Sequence, residues 1–255
     1  MIKNRIASSL FLILLPLAIM AQGRRPQNLP FYDVAPYNFG FTLGVNRMYF
    51  SIDHARRFNS EIFTSGEIPD IPNIREALLN TIETNSHYGF MVGIVSNLKL
   101  GKHFDLRFIP NLSFGERDIT YNIRATTIDG TQEIFNLRKP VQSTFVEFPL
   151  LVKYKSARYN NMRSYIIGGV KYSIDLISDA RRQDRTEMAI VRVDKNDVYL
   201  ELGVGFDFYN EYFKLGTEIK MSYGLFDLLI REGNIYTEGI ESLRSKIFSL
   251  SFNFE

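Results

Sequence analysis

The sequence has neither cysteine nor tryptophan among its 255 residues. Without cysteine the chain has no disulfide framework, thiolate metal site, cysteine nucleophile or lipid-modified N-terminal cysteine. Its 30 lysines and arginines nearly balance 28 aspartates and glutamates, so no broad basic field attracts nucleic acid. We therefore expect no nucleic-acid partner. Since no phosphate loop, dinucleotide fingerprint or zinc-protease helix is present, we also expect no cofactor.

Long hydrophobic runs are almost absent as well. The main one covers residues 10–20, follows the cations Lys3 and Arg5, and ends before the small residue Ala21. It is too short to cross a hydrocarbon layer of about 30 Å comfortably, and it has the order of a secretory signal peptide. The sequence therefore predicts a signal peptide over residues 1–21, a periplasmic tail over 22–36 and a single domain over 37–255.

The rest of the chain alternates between apolar and polar or small residues with a period of two, the pattern of strands with one apolar face. Eight such segments occur, and short connections alternate with long ones. The short connections are 100–102, 156–163 and 209–212, and the long ones are 51–86, 116–141, 178–195 and 226–243. This order predicts an all-β, eight-stranded antiparallel up-and-down barrel with tight turns at one rim.

Alternation alone leaves open whether the apolar face meets lipid or fills a soluble barrel such as a lipocalin. Nine of the 17 glycines lie on the polar face, where a narrow barrel interior requires small side chains. Aromatic residues concentrate toward the strand ends of the apolar face, as in the girdles of outer-membrane barrels. These features favour a transmembrane barrel of the outer membrane, in contact with its lipid, with a filled polar interior and both termini in the periplasm.

Charges of both signs also lie on the polar face, and we expect them to form a structural ion-pair network inside the barrel. An alternative is that some of the carboxylates form acid–base pairs. The predicted network comprises Asp105, Arg107, Glu147, Lys153, Lys171, Asp175, Glu201, Asp207, Glu218 and Lys220. A barrel filled in this way is not expected to act as a diffusion pore.

The first long connection contains a predicted helix. Pro72 suits a first helical turn, and Ile74, Ala77, Leu78 and Ile82 would share one face. Such a helix either covers the barrel mouth or docks a partner. Covering the mouth is the simpler hypothesis.

The three histidines, His54, His87 and His103, have no metal-site spacing. His54 and His87, with Ser86 and Asp53 nearby, raise the alternative of a lipid hydrolase, although polar loop residues near a headgroup layer explain them more simply. The sequence also contains two pairs of adjacent arginines, Arg56/Arg57 and Arg181/Arg182. These pairs either bind lipid phosphates or are simply solvated.

Three segments resemble strands of a family of small outer-membrane barrels. They are residues 104–114 (FDLRFIPNLSF), 145–155 (FVEFPLLVKYK) and 165–172 (YIIGGVKY). Together they resemble the PorT family of the type IX secretion system, which exports proteases, adhesins and gliding-motility proteins. The resemblance implies a non-enzymatic outer-membrane component or assembly factor, partnered by other type IX subunits, and it brings no catalytic residues. The alternatives are a lipid-modifying acyl hydrolase or transferase and a surface-loop adhesin.

Overall fold

The structure is a computed structural model that describes residues 27–56, 58–68, 70–178 and 191–255. The predicted signal peptide lies outside these residues. Among the described residues no helix is long and apolar enough to cross a membrane. A 3-10 turn covers Ser65–Glu67, and a short helix, α1, covers Ile235–Glu238. The strands are β1 (Tyr37–His54), β2 (Ile62–Thr64), β3 (Ile74–Ser86), β4 (Tyr88–Lys99), β5 (Phe104–Phe108), β6 (Asn111–Thr127), β7 (Gln132–Lys155), β8 (Met162–Asp175), β9 (Asn196–Tyr209), β10 (Lys214–Gly224) and β11 (Ile240–Phe254).

These strands close into a ring of eight antiparallel members. The pairs β3/β4 and β5/β6 each form one long ring member, interrupted at His87 and at residues 109–110 respectively. The first member, β1, pairs with β11 on one side and with β4 on the other, which closes the ring. The predicted eight-stranded up-and-down barrel is confirmed.

The two faces of the barrel wall have the predicted polarity. Apolar side chains such as Leu202, 69% exposed, point outward, whereas the interior side chain of Arg107 is fully buried. The interior is too crowded for side chains at some positions. A Cβ atom at Gly89 would overlap the Phe114 carbonyl oxygen, and one at Gly205 would lie 2.5 Å from the Tyr165 ring. The polar face is therefore filled, as expected for the transmembrane alternative.

The first long connection contains a strand, so the predicted helix is wrong. The segment with Ile74, Ala77 and Ile82 belongs to β3, which pairs with β6. Register irregularities between Ile74 and Glu76 and between Leu79 and Thr81 shift the side-chain alternation. The buried positions are consequently spaced by three, two and three residues, which resembles helical spacing.

The second long connection, predicted as a loop, is also mostly strand. Residues 116–127 of β6 and 132–144 of β7 continue the barrel hairpin far beyond the ring and meet at a tight turn over 128–131. We call the assembly of β2, β3, this extended hairpin and residues 225–243 the cap. It has its own buried apolar core, which includes Leu79, Ile123 and Tyr236. The segment that was predicted to be a helix over the barrel mouth therefore lies at the mouth, but it is part of a folded sheet.

The two rims of the barrel differ. At one, which we call the turn rim, the connections over 100–103, 156–161 and 210–213 are short. The first described residues contact Asn161 there, and Glu255 is bonded to Lys214 through both backbone groups. The opposite rim, which we call the loop rim, carries the cap.

Candidate functional site: a bridged barrel and its two rims

An ion pair bridges the barrel at the level of β5. Arg107 on β5 and Glu218 on β10 lie on opposite sides of the ring, and their side chains form a fully buried ion pair. A second Arg107 nitrogen lies 2.8 Å from Glu255 Oε1. The Tyr165 hydroxyl donates to Glu218 at 2.8 Å, and Lys214 Nζ lies 3.0 Å from Glu255 Oε2. The lumen is therefore crossed by side chains rather than lined by them.

A second charged group lies nearer the loop rim. Lys171 Nζ is 2.9 Å from Glu147 Oε1 and 3.5 Å from Glu201 Oε2. Lys220 Nζ is 3.2 Å from Glu201 Oε1 and 3.7 Å from Glu218 Oε2, so it connects this group to the Arg107 pair. Opposite charges at these distances offset part of the cost of burying each other.

The remaining predicted interior charges also lie inside the barrel. Lys153 Nζ is 2.7 Å from Asp207 Oδ2, and Lys155 Nζ is 2.5 Å from Asp105 Oδ1. Asp175 Oδ1 accepts the Ile177 backbone N–H at 3.0 Å. All ten predicted residues are buried. Lys155, Lys214 and Glu255 were not among the ten, although Lys155 and Lys214 occupy polar-face positions and Glu255 directly follows the last apolar residue.

Little free space remains where these groups meet. A cavity beside the second charged group has a volume of about 10 Å³, which is room for about one water molecule. Its lining includes Asn46, Glu147, Lys171, Glu201 and Lys220. At this level the barrel cannot pass a solute.

The N-terminal tail closes the turn rim through Asp33. This carboxylate receives two hydrogen bonds from Arg163, at 2.9 and 3.1 Å, and lies 3.6 Å from Arg158. Burial alone would raise the pKa of Asp33. The hydrogen bonds and positive charge of Arg163 lower this pKa by more, and the charge of Arg158 adds to their effect, so the pKa of Asp33 lies below its ordinary value. The charged carboxylate therefore stabilises the docked tail.

Tyr32 inserts the tail into the interior network. Its hydroxyl donates to Glu255 Oε2 at 2.5 Å and accepts from Lys214 Nζ at 2.6 Å. Burial, followed by the charge of Glu255, raises the pKa of Tyr32. The tail was predicted without pattern. Its described part, from residue 27, forms a plug at the turn rim, and Tyr32 links it to the interior network as Asp33 links it to the rim.

At the loop rim the side chain of Arg117, on β6, extends across the barrel interior toward β11. Its guanidinium donates to the Ser245 hydroxyl at 2.5 Å and lies 3.9 Å from the centre of the Phe50 ring. Above it, Tyr121 donates to the Tyr236 carbonyl oxygen at 3.0 Å. Burial raises the pKa of Tyr121. Polar and aromatic groups thus join the barrel to the cap core.

One histidine forms a charged cluster at the base of the cap. His87 Nε2 lies 2.8 Å from Asp118 Oδ2, and ligand atoms of His87, Asp118 and Glu116 lie within 4.8 Å of one another. Spacing along the chain did not predict this group, because strand pairing of β3 with β6 forms it. Arg138 Nε donates to Asp118 at 2.6 Å, so the guanidinium already supplies positive charge there. A metal ion would fit these ligands only if Arg138 moved away.

The structure does not assemble a serine–histidine pair around the other predicted residues, within its described part. The Ser86 hydroxyl accepts from Arg47 Nε at 2.8 Å, and Asp53 accepts from Ser242 at 2.6 Å. His54 packs on Phe58 with ring centres 4.9 Å apart. Of the predicted basic pairs, Arg56 is exposed, and the other three arginines lie outside the described residues.

Comparison with known proteins gives a family and two structural likenesses. A protein family described as "Outer membrane protein beta-barrel domain" matches residues 20–229. The outer membrane protein OprG from Pseudomonas aeruginosa is similar at 12% identity, over 84% of this chain and 93% of that chain, with a TM-score of 0.36. The outer membrane protease OmpT from Escherichia coli is similar at 10% identity, over 86% and 95%, with a TM-score of 0.38. No curated protein matches the sequence.

Proposed function

Because this chain belongs to the outer membrane protein β-barrel domain family, we propose that it is a non-enzymatic, non-conducting scaffold of the outer membrane. The turn rim faces the periplasm in this proposal, and the loop rim with its cap faces the cell exterior. The observation that carries the proposal is the Arg107–Glu218 ion pair, which joins opposite walls of the ring. A barrel bridged by buried charges is a rigid anchor rather than a passage.

We assign this scaffold to the type IX secretion system, as a component or assembly factor. Support comes from the resemblance of residues 104–114, 145–155 and 165–172 to PorT strands. A filled barrel of this diameter does not admit a folded cargo protein. Its contribution would therefore run through the cap, the tail or the lipid-facing wall, each in contact with another secretion subunit.

Two measurements test the proposal. A clean gene deletion is expected to retain type IX cargo inside the cell, and complementation with the intact gene should restore export. The purified protein in a planar lipid bilayer is expected to give no conductance steps. Normal export by the deletion strain would remove the secretion role, and stable conductance steps would remove the sealed scaffold.

The two alternatives predict different phenotypes. A lipid-modifying enzyme would need a nucleophile beside a histidine, and the hydrogen bond between His87 Nε2 and the Asp118 carboxylate is the observation closest to such an arrangement. The variants His87→Ala and His54→Ala should leave membrane lipids unchanged by mass spectrometry, whereas a changed lipid profile would favour the enzyme. Normal export combined with lost surface adhesion would favour the adhesin.

A further inference from the structure

An outward-facing group of cations and tyrosines lies on the wall at the loop-rim end of the lipid-facing band. We call it the cation–tyrosine patch and define it as Arg47, Tyr49, Tyr88, Tyr223 and Lys246. It spans four neighbouring strands, β4, β1, β11 and β10. From the geometry we infer that this patch binds the phosphate of lipid A, the phosphorylated lipid of the outer leaflet.

Strand register places each cation between aromatic residues. Arg47 is directly opposite Tyr88 on β4 and Phe248 on β11. Lys246 is directly opposite Tyr49 on β1 and Tyr223 on β10. Directly opposed residues have Cβ atoms about 5 Å apart, so each cation is flanked by rings.

Contacts hold Arg47 in this position. Its guanidinium carbon lies 5.2 Å from the centres of both the Tyr49 and Tyr88 rings. The Ser86 hydroxyl accepts from its Nε at 2.8 Å. The outer guanidinium nitrogens are left for a ligand, and guanidinium groups match phosphate oxygens in a bidentate geometry.

The charges of the patch are not neutralised by the protein. Among the described residues, neither Arg47 nor Lys246 forms an ion pair with a carboxylate. This contrasts with the barrel interior, where nearly every lysine and arginine has an acidic partner. A charged group at the edge of a hydrocarbon layer is costly unless it is paired, so these two cations favour binding of an anion from outside the protein.

The position of the patch along the barrel axis indicates which anionic group it can reach. Val45, the next outward residue on β1 toward the turn rim, and its strand partner Leu250 are exposed and apolar, as in a band that contacts acyl chains. Tyrosines at the edge of such a band mark the headgroup layer. With the loop rim outside the cell, as proposed above, that layer is the headgroup layer of the outer leaflet, and basic groups there recognise lipid phosphates. The inference therefore rests on the proposed orientation but not on the secretion role.

Native mass spectrometry of the detergent-purified mature chain tests the inference. The probes are bisphosphorylated lipid A, dephosphorylated lipid A with the same acyl chains, and phosphatidylglycerol. Each cation near a lipid surface contributes about 1 kcal/mol, so Arg47→Gln or Lys246→Gln should weaken binding of bisphosphorylated lipid A about fivefold, and the double variant roughly thirtyfold. Arg124→Gln, an exposed cation on the cap, is the matched control and should bind like the wild type.

Arg47→Lys keeps the charge and should retain more affinity than Arg47→Gln. If a glutamine variant fails to fold, as judged by its migration in unheated gels, the lysine variant and Lys246→Gln still test the patch. Undiminished binding by the double variant would overturn the inference. So would equal wild-type affinity for dephosphorylated lipid A or for phosphatidylglycerol. Lost binding of lipid A by the double variant, together with normal export by the deletion strain, would leave the inference standing and remove the secretion role.

Discussion

The buried charges predict a large and specific effect of replacing Arg107 by methionine. The change removes the guanidinium that contacts both Glu218 and Glu255, whose side chains are buried. Lys220, at 3.7 Å from Glu218, and Lys214, at 3.0 Å from Glu255, remain but cannot replace a direct guanidinium contact. Breaking a buried ion pair costs about 3–5 kcal/mol, because a charge is left uncompensated in a medium of low dielectric constant.

A second substitution separates this cause from loss of packing. Arg107→Met with Glu218→Gln removes the stranded carboxylate together with the guanidinium, so the double variant should lose less than half as much stability as Arg107→Met alone. The assay is chemical unfolding in detergent micelles, followed by circular dichroism. Arg124→Met, an exposed cation on the cap, is the control and should stay within about 0.5 kcal/mol of the wild type.

Two results would refute the reasoning. Arg107→Met could leave the free energy of unfolding within about 1 kcal/mol of the wild-type value, which lies below the range for a broken buried pair. Alternatively, the effects of the two substitutions could simply add, which would mean that the two side chains are not energetically coupled. Either result would leave the interior network without its predicted structural role.

Three further predictions concern the tail, the cap and the barrel interior. Asp33→Asn should lower the melting temperature at neutral pH, because a carboxylate with a lowered pKa stabilises the fold above its unfolded-state pKa; the gap to wild type should close as pH falls below about 3.8, and a gap constant with pH would contradict this. Leu79→Ala should destabilise the cap by about 2–5 kcal/mol, seen as cleavage of the cap by protease with the barrel intact, whereas the exposed Ile134→Ala should be nearly neutral. Gly89→Ala should reduce the folded fraction on unheated gels, since its Cβ would overlap a backbone oxygen, whereas Gly66→Ala meets open space; equal yields would argue against a crowded interior.

Several features of the fold could be predicted because they depend on neighbours in the chain. Side chains on a strand alternate strictly, so polar and apolar residues at successive positions already identify the two faces of the wall. Short and long connections identify the two rims in the same way. The predicted helix failed for a related reason, since local irregularities in β3 produced a spacing that resembles a helical one.

The candidate sites were harder to predict because their members are far apart in the sequence. His87 meets Asp118 through strand pairing, 31 residues away. Tyr32 reaches Glu255 across 223 residues, so a tail without any pattern of its own became a plug. No spacing rule along the chain covers such contacts, although strand alternation does place Lys155 and Lys214 on the polar face.

The sequence by itself determined the type of barrel wall. Its strands have one apolar face for lipid and one polar face that carries charges, and they are long and numerous enough to close into a barrel. Only the tertiary structure decided which charge meets which, since Arg107 and Glu218 are 111 residues apart and become neighbours through closure of the ring. The same is true of the cap, whose core gathers residues from connections that are separate along the chain. The physical reason is that alternation is a local property of the backbone, whereas pairing across a lumen depends on the register of every strand between the partners.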